Sequence, residues 1–394
     1  MNLYEDLVWR GLIKDISSPD LKNKLNNEKL TVYWGTDPTA DSLHVGHVAS
    51  TLVLKRLSNA GHHCIILVGG ATGRIGDPRP NAERQLIPED VFEHNLKALK
   101  EQAKIFGVAE TVDNFDWSKD INFIDFLRDY GKHFPVNYML DKDTVRRRLE
   151  TGITYTEFSY MIMQALDFLH LYETKGCTLQ VAGSDQWGNI TAGIDLIRKK
   201  IGKEAYGFCM PLVLDEQGEK IGKSEGNAVW IDKNKTSSYD LYQYFLRTPD
   251  SLVIQHLKYY TFLSKEEIKE YEDKVKTNPE AREAGKRLAF EAVKFLHSEE
   301  DAIEAAKTAE KVFSGEATDN MPTIEITNEA DILSILVNSN LVPSKSEARR
   351  LIEQGGISVD KEKITDVNQL INKNEFIIQK GKKTIVKIKR KNYE

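Results

Sequence analysis

Two short segments carry residue types that suit phosphate chemistry. His44 and His47 stand three residues apart around Gly46, at the start of a run with helical apolar spacing. The second segment, 220–224, reads Lys-Ile-Gly-Lys-Ser. A helix N-terminus offers unpaired N–H groups and a positive dipole end, and Gly46 lets a flat base approach the backbone. Together the two segments predict the halves of a clamp for the phosphates of ATP.

Each segment taken alone has a simpler interpretation. A lone histidine more often serves at the surface or as a helix cap, and a lysine-rich run is more often a solvated face. The phosphate interpretation is favoured because both segments occur in one chain, in this order, with a predicted strand and turn before the first.

A second polar set lies in the segment 156–172, which is predicted to be a helix. Tyr160, Gln164 and Asp167 fall at i, i+4 and i+7 and share one face, while most of the rest is apolar. Such a stripe is either solvated or paired inside a cavity. Periodicity alone slightly favours the solvated alternative, because the neighbouring Glu157 is expected to be exposed.

The stretch 183–189 reads Gly-Ser-Asp-Gln-Trp-Gly-Asn and follows a predicted strand. Its glycines let a ligand approach closely. Asp185 can accept hydrogen bonds from a ribose diol, and Gln186 can bond a carbonyl or carboxylate. A strand end bounded by glycines is also an ordinary turn, so this stretch supports a ligand site without deciding it.

The elements that must position these residues alternate between strand and helix from about 30 to 218. The predicted elements are strands at 30–33, 65–68 and 178–182 and helices at 45–57 and 190–200. This alternation predicts an α/β fold with a doubly wound, Rossmann-like parallel sheet, in which ligands bind beyond the carboxyl ends of the strands. The glycine- and proline-rich stretch 71–84 is predicted to be a loop at such an end.

Three domains are predicted along the chain. The Rossmann-like domain, expected to be catalytic, occupies 1–232 and carries a connective insertion at about 116–155 that could support a dimer. An α-helical domain follows at 233–320 and ends in a linker-like stretch, 315–328, rich in Gly, Asn and Thr. The last domain, 330–394, is predicted to be a small α+β unit of two helices and three short strands.

Composition excludes several classes of protein. The 394 residues are 40% hydrophobic and 29% charged, as in ordinary globular proteins. No apolar run approaches the roughly 20 residues of a membrane span, and the N-terminus lacks the apolar core of a signal peptide. Three widely spaced cysteines, Cys64, Cys177 and Cys209, favour reduced thiols of a cytoplasmic protein. No cluster of metal ligands is found, and no metal site is predicted.

Charge is distributed unevenly along the chain. Residues 331–394 carry 13 Lys and Arg against 8 Asp and Glu, a net charge of +5. Because the whole chain has a net charge of −6, the remaining residues carry −11. A basic C-terminal module on an acidic body is typical of a local RNA footprint. The alternative is a solvated, lysine-rich tail.

The two phosphate segments resemble the HIGH and KMSKS signatures of class I aminoacyl-tRNA synthetases. The longer stretches 33–44, 68–77 and 183–191 resemble bacterial-type tyrosyl-tRNA synthetases. Similarity continues to the chain's end, where the basic module resembles the RNA-binding domain named for small-subunit ribosomal protein four.

For the amino acid, the resemblance implies a binding site made of Tyr33, Asp37, Asp77, Tyr160, Gln164, Asp167 and Gln186. Tyr33 and Asp167 would bind the phenolic hydroxyl. Asp77, with Tyr160 and Gln164, would hold the α-ammonium, supported by Asp37, and Gln186 would bind the carboxyl end.

For ATP, it implies contacts from Gly35, Thr39, His44, Gly46, His47, Gly183, Asp185, Lys220 and Lys223. The catalytic residues implied are Thr39, His44, His47, Lys220, Lys223 and Ser224. Asp185 would bind the ribose, Gly46 would lie under the adenine, and the two lysines would close over the leaving pyrophosphate.

The activity implied is that of a tyrosine–tRNA ligase. Such an enzyme activates L-tyrosine with ATP to tyrosyl-adenylate and pyrophosphate, then transfers tyrosine to the 3′ end of tRNA(Tyr). The resemblance implies a cytoplasmic homodimer without a membrane contact or a permanently bound cofactor, using ATP with Mg²⁺. The RNA-binding residues implied are Lys345, Arg349, Arg350, Lys380, Lys382 and Lys383. The alternatives are another HIGH-type ligase, such as a tryptophan–tRNA ligase, and an inactive RNA-binding paralogue.

Two positions depart from the family pattern. Trp34 stands where a smaller residue is usual, so its indole either bonds the ribose or only packs beside it. The loop 79–84 lacks the expected Gly-Lys character, which leaves Arg79 or Arg84 as the candidate for its phosphate or tRNA contacts.

Overall fold

The structure is a computed structural model that describes residues 1–79, 83–108, 110–221, 228–314, 323–327, 330–381 and 384–391. The chain forms two compact units. Unit 1 comprises 1–236 and 248–288, and unit 2 comprises 237–247 and 289–394.

A six-stranded sheet forms the centre of unit 1. Its strands are β1 (Asp15–Ile16), β2 (Thr31–Thr36), β3 (His63–Val68), β4 (Glu110–Asp113), β5 (Cys177–Gly183) and β6 (Tyr206–Met210). They lie in the order β1-β6-β5-β2-β3-β4, and all neighbours are parallel except β1 and β6. The predicted doubly wound sheet is confirmed. The chain order reverses between β2 and β5, which is where open α/β sheets bind ligands.

Burial and register fix which side chains reach that point. β3 is a nearly unbroken apolar run with five buried residues, as expected of a parallel strand covered on both faces. In β2, Tyr33 pairs with Ile65 of β3 on one side and with Gln180 of β5 on the other. Tyr33 and Gln180 therefore stand side by side at the centre of the sheet.

Helices cover the sheet and connect its strands. Those of unit 1 are α1 (Leu3–Arg10), α2 (Leu21–Asn27), α3 (Val45–Asn59), α4 (Thr72–Ile75), α5 (Glu89–Gln102), α6 (Phe115–Ser118), α7 (Phe123–Asp125), α8 (Val136–Leu140), α9 (Asp143–Arg146), α10 (Tyr155–Lys175), α11 (Trp187–Ile201), α13 (Asp250–Tyr260) and α14 (Lys265–Thr277). Helix α12 (Ser238–Leu246) belongs to unit 2, and α15 (Glu283–Leu296) begins in unit 1 and ends in unit 2. Single 3-10 turns lie at Ala103–Phe106, Gly131–His133, Ser184–Gln186 and Pro279–Ala281, and a π-turn at Phe126–Tyr130. The predicted loop 71–84 is wrong in one respect, because it contains α4.

The long helix α10 has local signals at both ends. The side chain of Thr154 accepts from the Glu157 N–H at the start, and Gly176 ends the helix in the left-handed region at φ 61°. Its apolar face packs into the core around Phe168, which lies against Gly193 of α11. A Cβ at Gly193 would lie 3.0 Å from the Phe168 ring, so this glycine permits close packing of the two helices.

Unit 2 contains α16 (Glu299–Ser314), α17 (Ile332–Asn338), α18 (Lys345–Glu353) and a second sheet. Its strands are β7 (Thr323–Ile326), β8 (Ile357–Val359), β9 (Glu362–Lys363), β10 (Glu375–Lys380) and β11 (Thr384–Arg390), in the order β7-β11-β10-β8-β9. The predicted linker 315–328 is wrong where β7 lies, because β7 pairs in parallel with β11. Strands β10 and β11 pair antiparallel, and the two faces of this hairpin pack into different apolar clusters. Ile378 lies in the core formed by the C-terminal residues, whereas Ile377 packs in a second cluster with Tyr239 of α12.

Among the described residues, no helix is both long enough and apolar enough to cross a bilayer.

Candidate active site

One cavity of about 250 Å³ opens at the switch point of the sheet. It is lined by every described residue that the sequence assigns to tyrosine or ATP: Tyr33, Gly35, Asp37, Thr39, His44, Gly46, His47, Asp77, Tyr160, Gln164, Asp167, Gly183, Asp185, Gln186 and Lys220. Lys223 and Ser224 lie outside the described residues. Residues from two strands (β2 and β5), from two helices (α3 and α10) and from the turns and loops beside them thus line one cavity, as the fold predicts.

A polar pair lies at the closed end of this cavity. Tyr33 is 1% exposed, packs on Phe168, and its hydroxyl has no hydrogen-bond partner among the described residues. Asp167 is 2% exposed, and its carboxylate accepts from Asn114 Nδ2 and Trp117 Nε1, both at 2.9 Å. Burial raises the pKa of Asp167 to about 7, against the lowering effect of these two hydrogen bonds. Burial also raises the pKa of Tyr33 well above 10, so its hydroxyl remains a neutral donor.

A chain of hydrogen bonds connects this pair to the next part of the site. Asn114 donates to Thr72 Oγ1 at 2.9 Å, and Thr72 donates to Asp37 Oδ1 at 2.7 Å. The Tyr160 hydroxyl donates to the other oxygen of Asp37 at 2.8 Å. Close approach depends on Gly69, because a Cβ there would lie 2.1 Å from Asp37 Oδ1. The carboxylates of Asp167 and Asp37 are therefore held in one hydrogen-bond network.

A second carboxylate, that of Asp77, lines the same cavity. Asp77 accepts from Gln186 Nε2 at 2.8 Å and from Asn189 Nδ2 at 3.4 Å. Asn189 also donates to Gln164 Oε1 at 3.0 Å. Burial raises the pKa of Asp77 to about 6, and repulsion from Asp37 adds to that rise. Two carboxylates and a tyrosine hydroxyl form a cage suited to a primary ammonium group.

The N-terminus of α3 differs from expectation. The predicted unpaired N–H groups are wrong, because each of the first four has a partner. Gly46 N–H donates to His44 Nδ1 at 3.1 Å, His44 N–H donates to His47 Nδ1 at 3.3 Å, Val45 N–H donates to the Val229 carbonyl at 3.0 Å, and His47 N–H donates to the His44 carbonyl at 2.9 Å. Since Nδ1 of both imidazoles accepts, this network assigns the proton of each neutral ring to Nε2. The helix end therefore presents two imidazole donors, with ring centroids 3.9 Å apart.

The lysine segment meets the cavity from the opposite side. Lys220 Nζ lies 2.9 Å from Asp185 Oδ2, and both side chains are nearly half exposed. The Ile221 carbonyl lies so close to Gly46 that a Cβ there would stand 2.7 Å from its oxygen. The residues assigned to ribose, phosphate and adenine are therefore neighbours.

Two expectations about α10 are wrong. Glu157 is buried at 2% exposure, because it pairs with Arg148 at 3.0 Å. The solvated alternative for the polar stripe also fails, since Tyr160 and Asp167 are buried and point into the cavity with Gln164. Periodicity identifies the shared face correctly but cannot tell water from a polar cavity.

Sequence reasoning missed several residues of the site. Asn114, directly after β4, and Trp117, in α6, donate hydrogen bonds to Asp167, and no local motif marks either residue. Gln180 lines the cavity at 2% exposure, and its Oε1 has no partner among the described residues. A glutamine inside an apolar strand is the signal that could have found it. Arg84, a candidate for phosphate, does line the cavity.

Trp34 also lines the cavity and is 4% exposed. Its ring meets His47 edge to face, with centroids 6.4 Å apart. This large side chain therefore forms part of the wall beside the imidazole donors.

In the basic module, Lys345 and Arg349 are exposed on α18. Arg350 pairs with Glu347 at 2.5 Å, and Lys380 donates to the Leu341 carbonyl. Lys382 and Lys383 lie outside the described residues.

The parallel sheet, the histidine-capped helix and the polar cavity at the switch point define a class I aminoacyl-tRNA synthetase. Residues 25–314 match the family model for class I tRNA synthetases for tryptophan and tyrosine, and residues 314–394 match that for the C-terminal domain of tyrosine–tRNA ligases. The chain belongs to the tyrosine–tRNA ligase family of aminoacyl-tRNA ligases.

Individual relatives agree over nearly the whole length. The chain is 47% identical to tyrosine–tRNA ligase 1 of Bacillus subtilis, covering 97% of this chain and 98% of that protein. It is 46% identical to the tyrosine–tRNA ligase of Acetivibrio thermocellus, covering 98% and 99%. Among solved structures, a truncated mitochondrial tyrosyl-tRNA synthetase of Aspergillus nidulans matches with a TM-score of 0.70 and 31% identity, covering 79% of this chain and 94% of that one.

Proposed function

We propose that this protein activates L-tyrosine with ATP and transfers the tyrosyl group to the 3′ end of tRNA(Tyr). The observation that carries this proposal is a single cavity lined both by the buried Tyr33–Asp167 pair and by His44, His47 and Lys220.

The closed end fits the phenolic hydroxyl. Asp167 still has lone pairs after accepting from Asn114 and Trp117, so it can accept from the substrate, while Tyr33 donates. Phenylalanine would offer no hydroxyl to Asp167 and would leave the buried Tyr33 hydroxyl without a partner, which costs about 1–3 kcal/mol. Selection against phenylalanine therefore needs no editing step.

The middle of the cavity fits the amino acid's α-ammonium. Asp77, Tyr160 and Gln164 surround the space, and Asp37 fixes the Tyr160 hydroxyl at 2.8 Å. Gln186 would turn its amide toward the substrate's carboxyl end.

The open end fits ATP. Gly35 and Gly183 let the nucleotide approach the strand ends, Gly46 underlies the adenine, and Asp185 binds the ribose after releasing Lys220. That exchange costs little, because a half-exposed ion pair contributes roughly 0–1 kcal/mol.

Positioning and charge stabilisation account for the chemistry. A tyrosine carboxylate oxygen bonds to the α-phosphorus of ATP while the bond to the pyrophosphate oxygen breaks. The Nε2–H groups of His44 and His47, with Thr39 and Lys220, stabilise charge on the phosphates. Lys223 and Ser224 would complete the clamp, and Mg²⁺ would arrive with ATP as part of the substrate.

Transfer of the tyrosyl group requires tRNA. We assign tRNA contacts to the module at 330–394, through Lys345, Arg349, Arg350, Lys380, Lys382 and Lys383. Among the four that the structure describes, Lys345 and Arg349 are the best placed, since Arg350 and Lys380 already have partners within the module. The remaining domains are the catalytic domain, 1–232, and the helical domain, 233–320.

A homodimer is the proposed assembly, formed in the cytoplasm. Seven large apolar side chains of the connective segment are exposed, and Phe115 just before it is exposed as well: Phe115, Phe123, Ile124, Leu127, Val136, Leu140, Leu149 and Tyr155. Such a concentration is typical of a surface that a second copy covers. Sedimentation should give twice the monomer mass, and a monomer at micromolar concentration would oppose this assignment.

Tyrosine-dependent ATP–pyrophosphate exchange without tRNA tests the activity directly. Exchange with tryptophan instead of tyrosine would identify a tryptophan–tRNA ligase. Absence of exchange with any amino acid, together with tight RNA binding, would identify an inactive RNA-binding paralogue.

A further inference from the structure

We infer that Arg148 and Glu157 form a buried positioning pair, which fixes the ammonium-binding carboxylate Asp77 from outside the cavity. This inference rests on the proposed tyrosine activation. It adds two residues that neither line the cavity nor belong to either phosphate segment.

The pair is held away from water. Arg148 follows α9 in the connective segment and is 3% exposed, and Glu157 is the third residue of α10 and 2% exposed. Arg148 Nη1 lies 3.0 Å from Glu157 Oε2, and its Nε donates to the Gly152 carbonyl at 3.0 Å. Burying two charges is costly unless both gain further hydrogen bonds, so those bonds indicate what the pair is for.

Those further bonds go to the backbone of Arg79 and of Arg84. Arg148 Nη1 donates to the Arg79 carbonyl at 3.0 Å, and Glu157 Oε1 accepts from the Arg84 backbone N–H at 2.8 Å. The Arg84 side chain extends this series of hydrogen bonds, since its Nε donates to the Asp77 carbonyl at 2.7 Å. Hydrogen bonds and one ion pair therefore connect the connective segment to the backbone of Asp77.

Placement of Asp77 matters because its carboxylate works at hydrogen-bond distance. It accepts from Gln186 and Asn189, and it faces the space proposed for the ammonium. A displacement of about 1 Å at a reacting or binding group can cost up to roughly 100-fold. Loosening the pair should therefore weaken recognition of the ammonium more than recognition of the phenol or of ATP.

Glu157→Gln and Arg148→Lys test the inference, with Arg146→Lys as the matched control. Arg146 belongs to the same segment, but its ion pair with Asp143, at 2.6 Å, is exposed to solvent. The KM for tyrosine in pyrophosphate exchange should rise by about tenfold in the first two variants, within the range a small displacement allows. The KM for ATP should stay unchanged, and the control should match the wild type.

Two ligands separate positioning from general damage. Calorimetry should show weaker binding of tyrosine to the variants but unchanged binding of 3-(4-hydroxyphenyl)propionate, which lacks the ammonium. In an Asp77→Asn background, Glu157→Gln should cause no further loss of tyrosine affinity, because the two changes act through one group.

Stability could obscure the single variants, because Glu157→Gln leaves the buried charge of Arg148 unpaired. Arg148→Lys keeps the charge but lacks the guanidinium N–H groups that bond the Arg79 and Gly152 carbonyls. The double variant Arg148→Met with Glu157→Gln removes both charges together and keeps an acceptor for the Arg84 N–H. An unchanged KM for tyrosine in the folded variants, or equal losses for both ligands, would overturn the inference. So would failure of all three variants to fold, which would make the pair purely structural. Failure of the proposed function itself would differ, because the wild type would then show no exchange with tyrosine.

Discussion

Tyr33→Phe should change the stability of the free protein and its affinity for tyrosine in opposite directions. The hydroxyl is 1% exposed and has no hydrogen-bond partner among the described residues. A buried polar group left unpaired costs about 1–3 kcal/mol. Removing it should therefore leave the free energy of unfolding unchanged or raise it by up to about that amount, instead of lowering it as most core substitutions do.

Substrate binding should respond with the opposite sign. The lost hydrogen bond to the phenolic oxygen is worth about 0.5–1.5 kcal/mol, which corresponds to a rise in the KM for tyrosine of about 2-fold to about 13-fold. The KM for phenylalanine should fall or stay constant, because phenylalanine never used that hydroxyl. The preference for tyrosine over phenylalanine therefore decreases, while the free protein becomes no less stable.

Urea denaturation without ligand and pyrophosphate exchange with each amino acid measure the two effects. Tyr172→Phe is the matched control, since Tyr172 packs against the same core but does not line the cavity. A loss of stability above about 1 kcal/mol in Tyr33→Phe, or an unchanged KM for tyrosine, would refute the reasoning.

Four further predictions concern the site and the C-terminal module. Burial raises the pKa of Asp77 to about 6 and of Asp167 to about 7, so kcat/KM for tyrosine should fall as pH drops from 8 to 5.5, while kcat/KM for ATP changes less. The stability of the free protein should move the other way, because a raised carboxyl pKa favours folding at low pH and loses that contribution as pH rises through it; chemical denaturation across the same pH range measures this. Lys220→Ala should lower kcat for exchange more than tenfold yet change the unfolding free energy by less than about 1 kcal/mol, since its pair with Asp185 is exposed; an unchanged kcat would exclude its phosphate role. Deleting 331–394 should spare exchange and impair tRNA charging, and normal charging would assign that module another role.

The sequence predicts the frame of the molecule better than the contacts within the site. The sheet and α3 follow from periodicity, because strands covered on both faces must be apolar runs. The cavity residues follow from the family resemblance, and the sheet brings all the described ones together.

What sequence reasoning misses are interactions between distant parts of the chain. Asn114 and Trp117 matter only because β4 ends beside Asp167, and Glu157 is buried only because Arg148 returns to pair with it. The histidine caps of α3 are equally hidden, since a local pattern cannot show which N–H groups an imidazole will accept from.

The register of β2 constrains how a new amino-acid specificity could arise. Tyr33 faces the cavity beside Gln180 because β2 and β5 pair in that register after a shift between Thr31 and Val32. One inserted residue would turn Tyr33 to the opposite side of the sheet and carry the whole strand with it. Lys220 and Thr39 lie outside the strands and helices, where changes in length are tolerated. A descendant of this protein that activates a different amino acid would therefore differ by replaced side chains in its amino-acid pocket. The loops that carry Thr39 and Lys220, on the ATP side of the site, could also accept insertions and deletions.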